Sequence, residues 1–358
     1  MFLVLYKLFG IEHIEIAEDI TSDTFLLATE LWGLKGLPGN PTAWLYTVAK
    51  NKTKDYLKRN AHFAQIIATE IKYTASPMEE MEIDLSGKNI NDSQLAMMFA
   101  VCHPCISTEA QIALSLNLLC GFGIDEISTA FLTNKEVIYK RISRAKEKLR
   151  AENVRIEPPG PSAINNRLET VLTTLYLLFN EGYYSISQNQ TVNKDLCFEA
   201  MRLTYSLIEN ANTNKPAVNA LLSLMCFHSS RFDARTALNG EIILYDDQDT
   251  NLWNQELIDK GQYYLNMASK GNLLSKYHLE AAIAYWHTHK GDSPEKWENI
   301  LQHYNRLLQI EYSPIAALNR TYALAKAYPR PVDANAESTA TQGKKEAIIE
   351  AEKLNLTE

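Results

Sequence analysis

No stretch of this sequence reaches the roughly 18 uninterrupted apolar residues that a membrane helix needs, so nothing in it asks for a lipid bilayer. The apolar start, Met1 to Phe9, is broken by Lys7 and has neither a basic lead nor a small-residue cleavage site. It reads as an amphipathic helix entering a core, not as a signal peptide. Cysteine is scarce: Cys102, Cys105, Cys120, Cys197 and Cys226 form an odd, scattered set, which argues against a disulfide framework and for the cytoplasm. Alternating strand-like runs are rare. Glu241-Ile242-Ile243-Leu244-Tyr245 is a short exception, expected to be helix or loop, and the chain is expected to be all-α. A P-loop, a G-x-S-x-G elbow and a dinucleotide fingerprint are all missing, so no enzyme and no cofactor is indicated. Positive charge is also short overall, with a formal net charge of −8. That excludes a uniformly basic nucleic-acid binder but not a locally basic one.

The basic residues that exist are gathered. Lys50, Lys52, Lys54, Lys58 and Arg59 meet only Asp55 within 50–59, and Lys135, Lys140, Arg141, Arg144, Lys146, Lys148 and Arg150 meet only Glu136 and Glu147 within 134–150. Either run alone is more often a solvated helix face. Two of them in one N-terminal half carry more weight. The acidic excess lies elsewhere, including Glu12, Glu15, Glu18, Asp19 and Asp23.

At 358 residues the chain has room for two or three domains. Ile16, Ile20, Phe25, Leu27 and Leu31 recur at helical spacing. Gly36-Leu37-Pro38-Gly39-Asn40-Pro41 is a turn in which Asn40 caps the next helix and Pro41 takes its first position. Trp44, Leu45, Val48 and Leu57 lie on one side of that helix and its lysines on the other. Ser107 can cap a helix with Ile112, Leu116 and Leu119 inward, stopped by Gly121 and Gly123. A short helix from Ile124 to Phe131 follows, with Ile127 and Ala130 as core contacts. After the tight link Leu132-Thr133, Asn134 caps a last helix running to about Arg150, with Val137, Ile138, Ile142, Ala145 and Leu149 inward. This is the pattern of a helix-turn-helix whose second helix enters the major groove. Lys135, Glu136, Tyr139 and Lys140 are placed to meet base edges, and Arg141, Arg144, Lys146 and Lys148 to meet phosphates. From pattern alone, a plain three-helix packing with a charged outer face stands level with it.

The run Phe131 to Lys146, above all Arg141-Ile-Ser-Arg-Ala-Lys146, resembles the −35 reading region 4 of extracytoplasmic-function sigma factors of the sigma-70 family. Ala17 to Phe25 is similar to the region 2 segment that docks on the polymerase β′ clamp helices, and Pro41 to Arg59 to the segment that reads and opens the −10 element. Met98 to Pro104 and Tyr176 to Tyr183 resemble the subgroup with a C-terminal tetratricopeptide-like extension. Set against that family, region 2 is N-terminally short and the extension ends early, at Thr357-Glu358. The resemblance implies region 2 over 1–64, a linker over 65–91, region 4 over 92–152, a proline-rich linker over 153–165 and the helical extension over 166–358. It implies core RNA polymerase and promoter DNA as partners, with a regulatory protein on the C-terminal helices, and no membrane, metal or cofactor. The implied DNA contacts are Asn134, Lys135, Glu136, Tyr139, Lys140, Arg141, Arg144 and Lys146, with Trp44, Lys50, Asn51, Lys52, Lys54, Lys58 and Arg59. Glu18, Asp19, Asp23 and Phe25 are the implied polymerase contacts. Trp44, Tyr46 and Tyr56 could stack unpaired bases, although for Trp44 a wholly core position is the favoured reading.

The second half begins after Glu157-Pro158-Pro159-Gly160-Pro161, which cannot be helix. Pro216 and Pro314 each open a helix, and Ala281-Ala282 recurs as Ala316-Ala317, close to the roughly 34-residue tetratricopeptide period. An irregular helical bundle is the plainer alternative. Residues 331–343 read as a loose loop. Cys102-His103-Pro104-Cys105 lacks the second pair a zinc site needs and reads as a structural turn. His287, His289 and His303 read as interface histidines, and Glu280, Glu295 and Glu298 as a solvated helix face. Three other functions stay open: a helix-turn-helix regulator acting without polymerase, a repeat scaffold and, more remotely, a thiol enzyme built on Cys102 and Cys105.

Overall fold

Several helices in this chain begin where the sequence supplies a side-chain acceptor for the free N–H groups of a first turn. The computed structural model describes residues 2–11, 13–67, 87–131, 133–184, 194–235, 237 and 243–328. These residues form fifteen α-helices and no strand. Asn40 Oδ1 accepts the Ala43 N–H at 3.0 Å, Ser107 Oγ the Ala110 N–H at 3.4 Å, and Asn134 Oδ1 the Val137 N–H at 2.9 Å. All three caps are where the sequence puts them. Gly36 and Gly121 end their helices with φ of 80° and 78°, a backbone region that side chains rarely adopt.

The chain divides into two compact units: Met1–Ser128 with Thr133–Val171, and Leu172–Glu358, with which the short Thr129–Leu132 segment is grouped. The first unit holds α1 (Phe2–Phe9), α2 (Ile14–Lys35), α3 (Pro41–Ile67), α4 (Gly87–Val101) and α5 (Thr108–Leu114), which runs on as a π-turn over Ser115–Leu119. Then come α6 (Ile124–Ala130), α7 (Lys135–Ala151) and the start of α8 (Pro161–Tyr184). As its amphipathic pattern suggested, α1 enters a core: Val4, Leu5 and Tyr6 are buried, and the helix packs on both α2 and α4. Leu95 to Val101 of α4 are all buried, and α5 packs on α7. Helix α4 starts at Gly87, inside the segment read as a linker. Most of that segment, 68–86, lies outside the described residues. The division between the units falls within α8, between Val171 and Leu172, rather than at the proline-rich stretch.

The second unit holds the rest of α8, α9 (Lys194–Glu209), α10 (Pro216–Ser229), α11 (Phe232–Arg235), α12 (Gln255–Ala268), α13 (Lys276–His287), α14 (Pro294–Ile310) and α15 (Pro314–Ala327). Its centre is α10, whose side chains from Val218 to Phe227 are all buried against α9, α12 and α13. The approach to α12 is close: Ser223 Oγ donates to the Gly261 carbonyl at 2.7 Å, and a Cβ at Gly261 would lie 2.6 Å from the Phe227 ring. Helices α13, α14 and α15 pack in series around Trp297, Ile300 and Leu301. Ala281, Ala316 and Ala317 are buried, and Lys276 pairs with Glu311 at 2.8 Å.

Of the strand-like run, Glu241 and Ile242 lie outside the described residues. Ile243 and Leu244 are irregular, and Tyr245 opens a 3-10 turn. The 331–343 segment also lies outside them. Glu280 corrects the expectation of a solvated face. It is half-buried, accepts from the Tyr176 hydroxyl at 3.3 Å, and burial lifts its carboxyl to about 7.

Candidate nucleic-acid interface

Helix α7 sorts its residues by the helical repeat. Ile138, Ile142, Ala145 and Leu149 are buried, one per turn along one side. Lys135, Glu136, Tyr139, Lys140 and Arg144 are exposed, and Arg141 and Lys146 are half-buried. Val137 was expected inward but is 40% exposed, because it lies a full residue off the 138–142–145–149 stripe. Tyr139 is 61% exposed. The outer face at the start of α7 thus offers one aromatic, one β-branched and several charged side chains to solvent. The cap at Asn134 fixes how that end is presented. Lys135 Nζ meets Asp125 Oδ2 at 2.6 Å, with both side chains well exposed.

Helix α3 does the same with different residues. Ala49 and Thr53 turn inward, and the Thr53 hydroxyl donates to the Ala49 carbonyl at 2.8 Å. Asn51, Lys54, Lys58 and Arg59 are exposed, while Lys50 and Lys52 are half-buried. Trp44 is neither wholly core nor free. It is half-buried, with its ring edge-on to Trp32 at a centroid distance of 5.4 Å. Tyr56 meets Phe9 in the same way at 5.8 Å, and Tyr46 is half-buried.

Helix α2 carries the acids. Asp19 and Asp23 are exposed, as is Phe25, while Glu18 is half-buried. Two of these acids face two of the expected DNA-binding cations: Asp23 pairs with Lys52 at 3.0 Å and Glu18 with Lys146 at 2.7 Å. Glu15 binds the Arg150 guanidinium. Burial raises the Glu15 carboxyl, but the hydrogen bond and charge of Arg150, with Lys146 nearby, outweigh it and leave the group below its ordinary value. Glu15, Arg150 and Trp32 were not assigned roles from sequence. Spacing held the available hint: Glu15 precedes Glu18 by three residues and Arg150 follows Lys146 by four, so each pair shares a helix face.

The Cys102–Cys105 segment is a turn. The Cys105 N–H donates to His103 Nδ1 at 3.2 Å, and the Gln111 amide donates to the carbonyls of His103 at 3.1 Å and Ile106 at 3.3 Å. Burial, then the charge of Arg167, holds the His103 imidazole below its ordinary value. Beside it lies a cavity of about 350 Å³ reached by Arg155, Arg167, Glu152 and Glu157, a balanced set of charges. Among the described residues no group of three or more His, Cys, Asp or Glu side chains could hold a metal ion. No described helix is long and apolar enough to cross a membrane.

Residues 4–63 match the sigma-70 region 2 family, and residues 167–269 match a family of unknown function (DUF6596). An uncharacterized protein of Rhizobium meliloti (strain 1021) is 31% identical over 317 residues, covering 88% of this chain and 74% of that protein. No solved structure matches. The region 2 match takes in α1, α2 and most of α3, the elements that carry the acidic face and the first basic helix. The chain belongs to the same family as the rhizobial protein, and its N-terminal segment is a region 2 of the sigma-70 family.

Proposed function

We propose that this chain is an RNA polymerase sigma factor of the extracytoplasmic-function type, which binds core polymerase and directs it to a promoter with −35 and −10 elements. The sigma-70 region 2 match over residues 4–63 carries the reading. Helix α7 supports it as the recognition helix of a helix-turn-helix: Lys135, Glu136, Tyr139 and Lys140 would meet base edges, and the exposed Val137 would offer an apolar contact of the kind a thymine methyl accepts. Arg141, Arg144 and Lys146 would hold phosphates. Lys50, Asn51, Lys52, Lys54, Lys58 and Arg59 of α3 would hold the −10 strand, with Trp44 at the rim. Asp19, Asp23, Glu18 and Phe25 offer a basic partner surface on β′ an acidic face with one apolar anchor.

On this reading the chain performs no chemistry of its own. The second unit acts as a tetratricopeptide-like extension that modulates activity through protein contacts. Its support is the serial packing of α13 to α15 and the buried alanines about one repeat apart. Binding to core polymerase separates this function from a regulator that acts on DNA alone. Full-length protein should co-purify with core polymerase through β′, and Asp19→Lys with Asp23→Lys should weaken that association at least tenfold. A chain that binds duplex DNA but not core polymerase contradicts the proposal.

A further inference from the structure

Buried polar atoms without partners gather at one place in the second unit. Arg231, in the turn between α10 and α11, is 9% exposed, and its Nε–H has no acceptor. Its guanidinium carbon lies over the Tyr245 ring, 5.5 Å from the centroid. Lys296 of α14 is buried against the same ring: its ammonium stands 5.3 Å from the centroid and donates to the Tyr245 hydroxyl at 2.9 Å. His287 and Trp253 flank that ring at centroid distances of 5.0 and 6.4 Å. His287 Nδ1 and Trp253 Nε1 are also buried and unpartnered, as is Nδ1 of His228, one turn before Arg231.

Charge sets this cluster apart from an ordinary polar core. Among the described residues neither Arg231 nor Lys296 has a carboxylate within ion-pair distance. Asp246 and Asp292 are the acids whose charge reaches Lys296, and both are engaged elsewhere. Lys326 meets them at 3.6 and 3.4 Å, the Tyr322 hydroxyl donates to Asp246 at 3.1 Å, and the Trp297 indole donates to Asp292. The Tyr245 ring offsets only part of two cationic charges. A buried cation has lost its hydration and calls for a counter-charge, and a water molecule, which can accept an N–H, does not supply one. Burial, then the Arg231 charge, holds the His228 and His287 imidazoles neutral, so each can offer an N–H without adding to the repulsion.

We infer that Arg231, Lys296, His287 and Trp253 form a binding site for the oxyanion group of a small molecule, a phosphoryl or a carboxylate. A guanidinium matches either group with its planar fork of donors. Lys296 spends two of its three N–H bonds on the Tyr245 hydroxyl and, at 2.9 Å, the His289 carbonyl, which leaves one for the ligand. The way in is the 3-10 turn Tyr245–Asp247: Leu244 is 70% exposed and Asp246 and Asp247 are exposed, while Tyr245 reaches inward. Arg231, Tyr245 and Trp253 lie within residues 167–269, the span matched to a family of unknown function, and His287 and Lys296 come from α13 and α14 beyond it. An oxyanion held by all of them ties the α10–α11 corner to α13 and α14. The second unit is thereby a ligand-responsive body, whatever the first unit binds.

Calorimetric titration of the full-length protein with inorganic phosphate and, separately, with acetate tests the site and tells the two oxyanion sources apart. One probe should bind saturably, with about one ion per chain. At about ten times its Kd it should raise the melting temperature by about 3–6 °C, an effect that sodium chloride at equal ionic strength does not produce. Arg231→Gln should weaken binding at least tenfold, and Arg231→Lys, which keeps the charge but not the fork, should weaken it less. Lys296→Gln, on a different helix, should weaken it likewise and decides the matter if Arg231→Gln does not fold. Arg202→Gln removes a cation of the same unit that is already paired with Glu199, and should leave binding unchanged. Two results overturn the site: neither probe binding beyond the sodium chloride control, or binding that survives both Arg231→Gln and Lys296→Gln, which would mark an adventitious ion only. No readout involves polymerase, so failure of the sigma-factor reading would leave the site standing.

Discussion

His287 shows how a single side chain ties the second unit to pH. Its ring lies 5.0 Å from Tyr245 and 5.7 Å from Trp297, and its Nδ1 is shut away without a partner. Burial, then the charges of Arg231 and Lys296, drives its pKa from 6.5 down to about 3. The folded state therefore keeps the ring neutral where the unfolded chain binds a proton. Its contribution is complete above pH 6.5 and is lost as pH falls toward 3, at up to about 1.4 kcal/mol per pH unit. The melting temperature of His287→Gln should fall less steeply than the parent's between pH 6.5 and 4.5. Parallel curves would contradict this. Glu280 has the opposite sign. Its carboxyl is lifted from 4.5 to about 7, so its contribution is complete below 4.5 and lost as pH rises through 7. Glu280→Gln, which can still accept from Tyr176, should stabilise the unit at pH 8 by roughly 1–3 kcal/mol in denaturant unfolding. His287 is readable from sequence as an interface histidine, whereas the burial of Glu280 is not. Glu280 stands beside Leu279 and Ala281-Ala282-Ile283, but nothing local to α13 says that Tyr176 of α8 will meet its carboxylate.

Legibility improves for elements whose causes are local. Asn40, Ser107 and Asn134 announce their helices because a cap is decided within four residues, and the structure shows each side chain accepting the expected N–H. Asn134→Ala should cost the first unit about 1 kcal/mol, read as a lower unfolding midpoint, and should weaken DNA binding by loosening the first turn of α7. The inward stripe of α7 was equally plain, except that Val137 was counted into it. A spacing of three or four residues defines the stripe, and Val137 beside Ile138 cannot belong to it. Gly261 is another element-scale constraint. A Cβ there would meet the buried Phe227 ring at 2.6 Å, so Gly261→Ala should force α10 and α12 apart and cost about 1–3 kcal/mol. Circular dichroism melting would check it, and an unchanged midpoint would mean the two helices separate more easily than their packing implies.

At the scale of the whole molecule, what sequence left unread is long-range. The all-α class and the basic helices could be read from composition and period. The pairing of Glu18 with Lys146 and of Asp23 with Lys52 could not, because nothing local to α2 says which cations it will face. Residues expected to serve two different partners are instead joined to each other. The division within α8 was hidden for the same reason: the proline run, read as excluding helix through Pro161, in fact supplies Pro161 as the first residue of α8, and it does not say which core that helix joins. Run-off transcription with purified core polymerase tests the central claim most directly. The account predicts that adding the full-length protein yields a transcript from a defined start, lost when Lys140 and Arg144 are replaced by alanine. Core polymerase that gives the same products with and without this protein would contradict it.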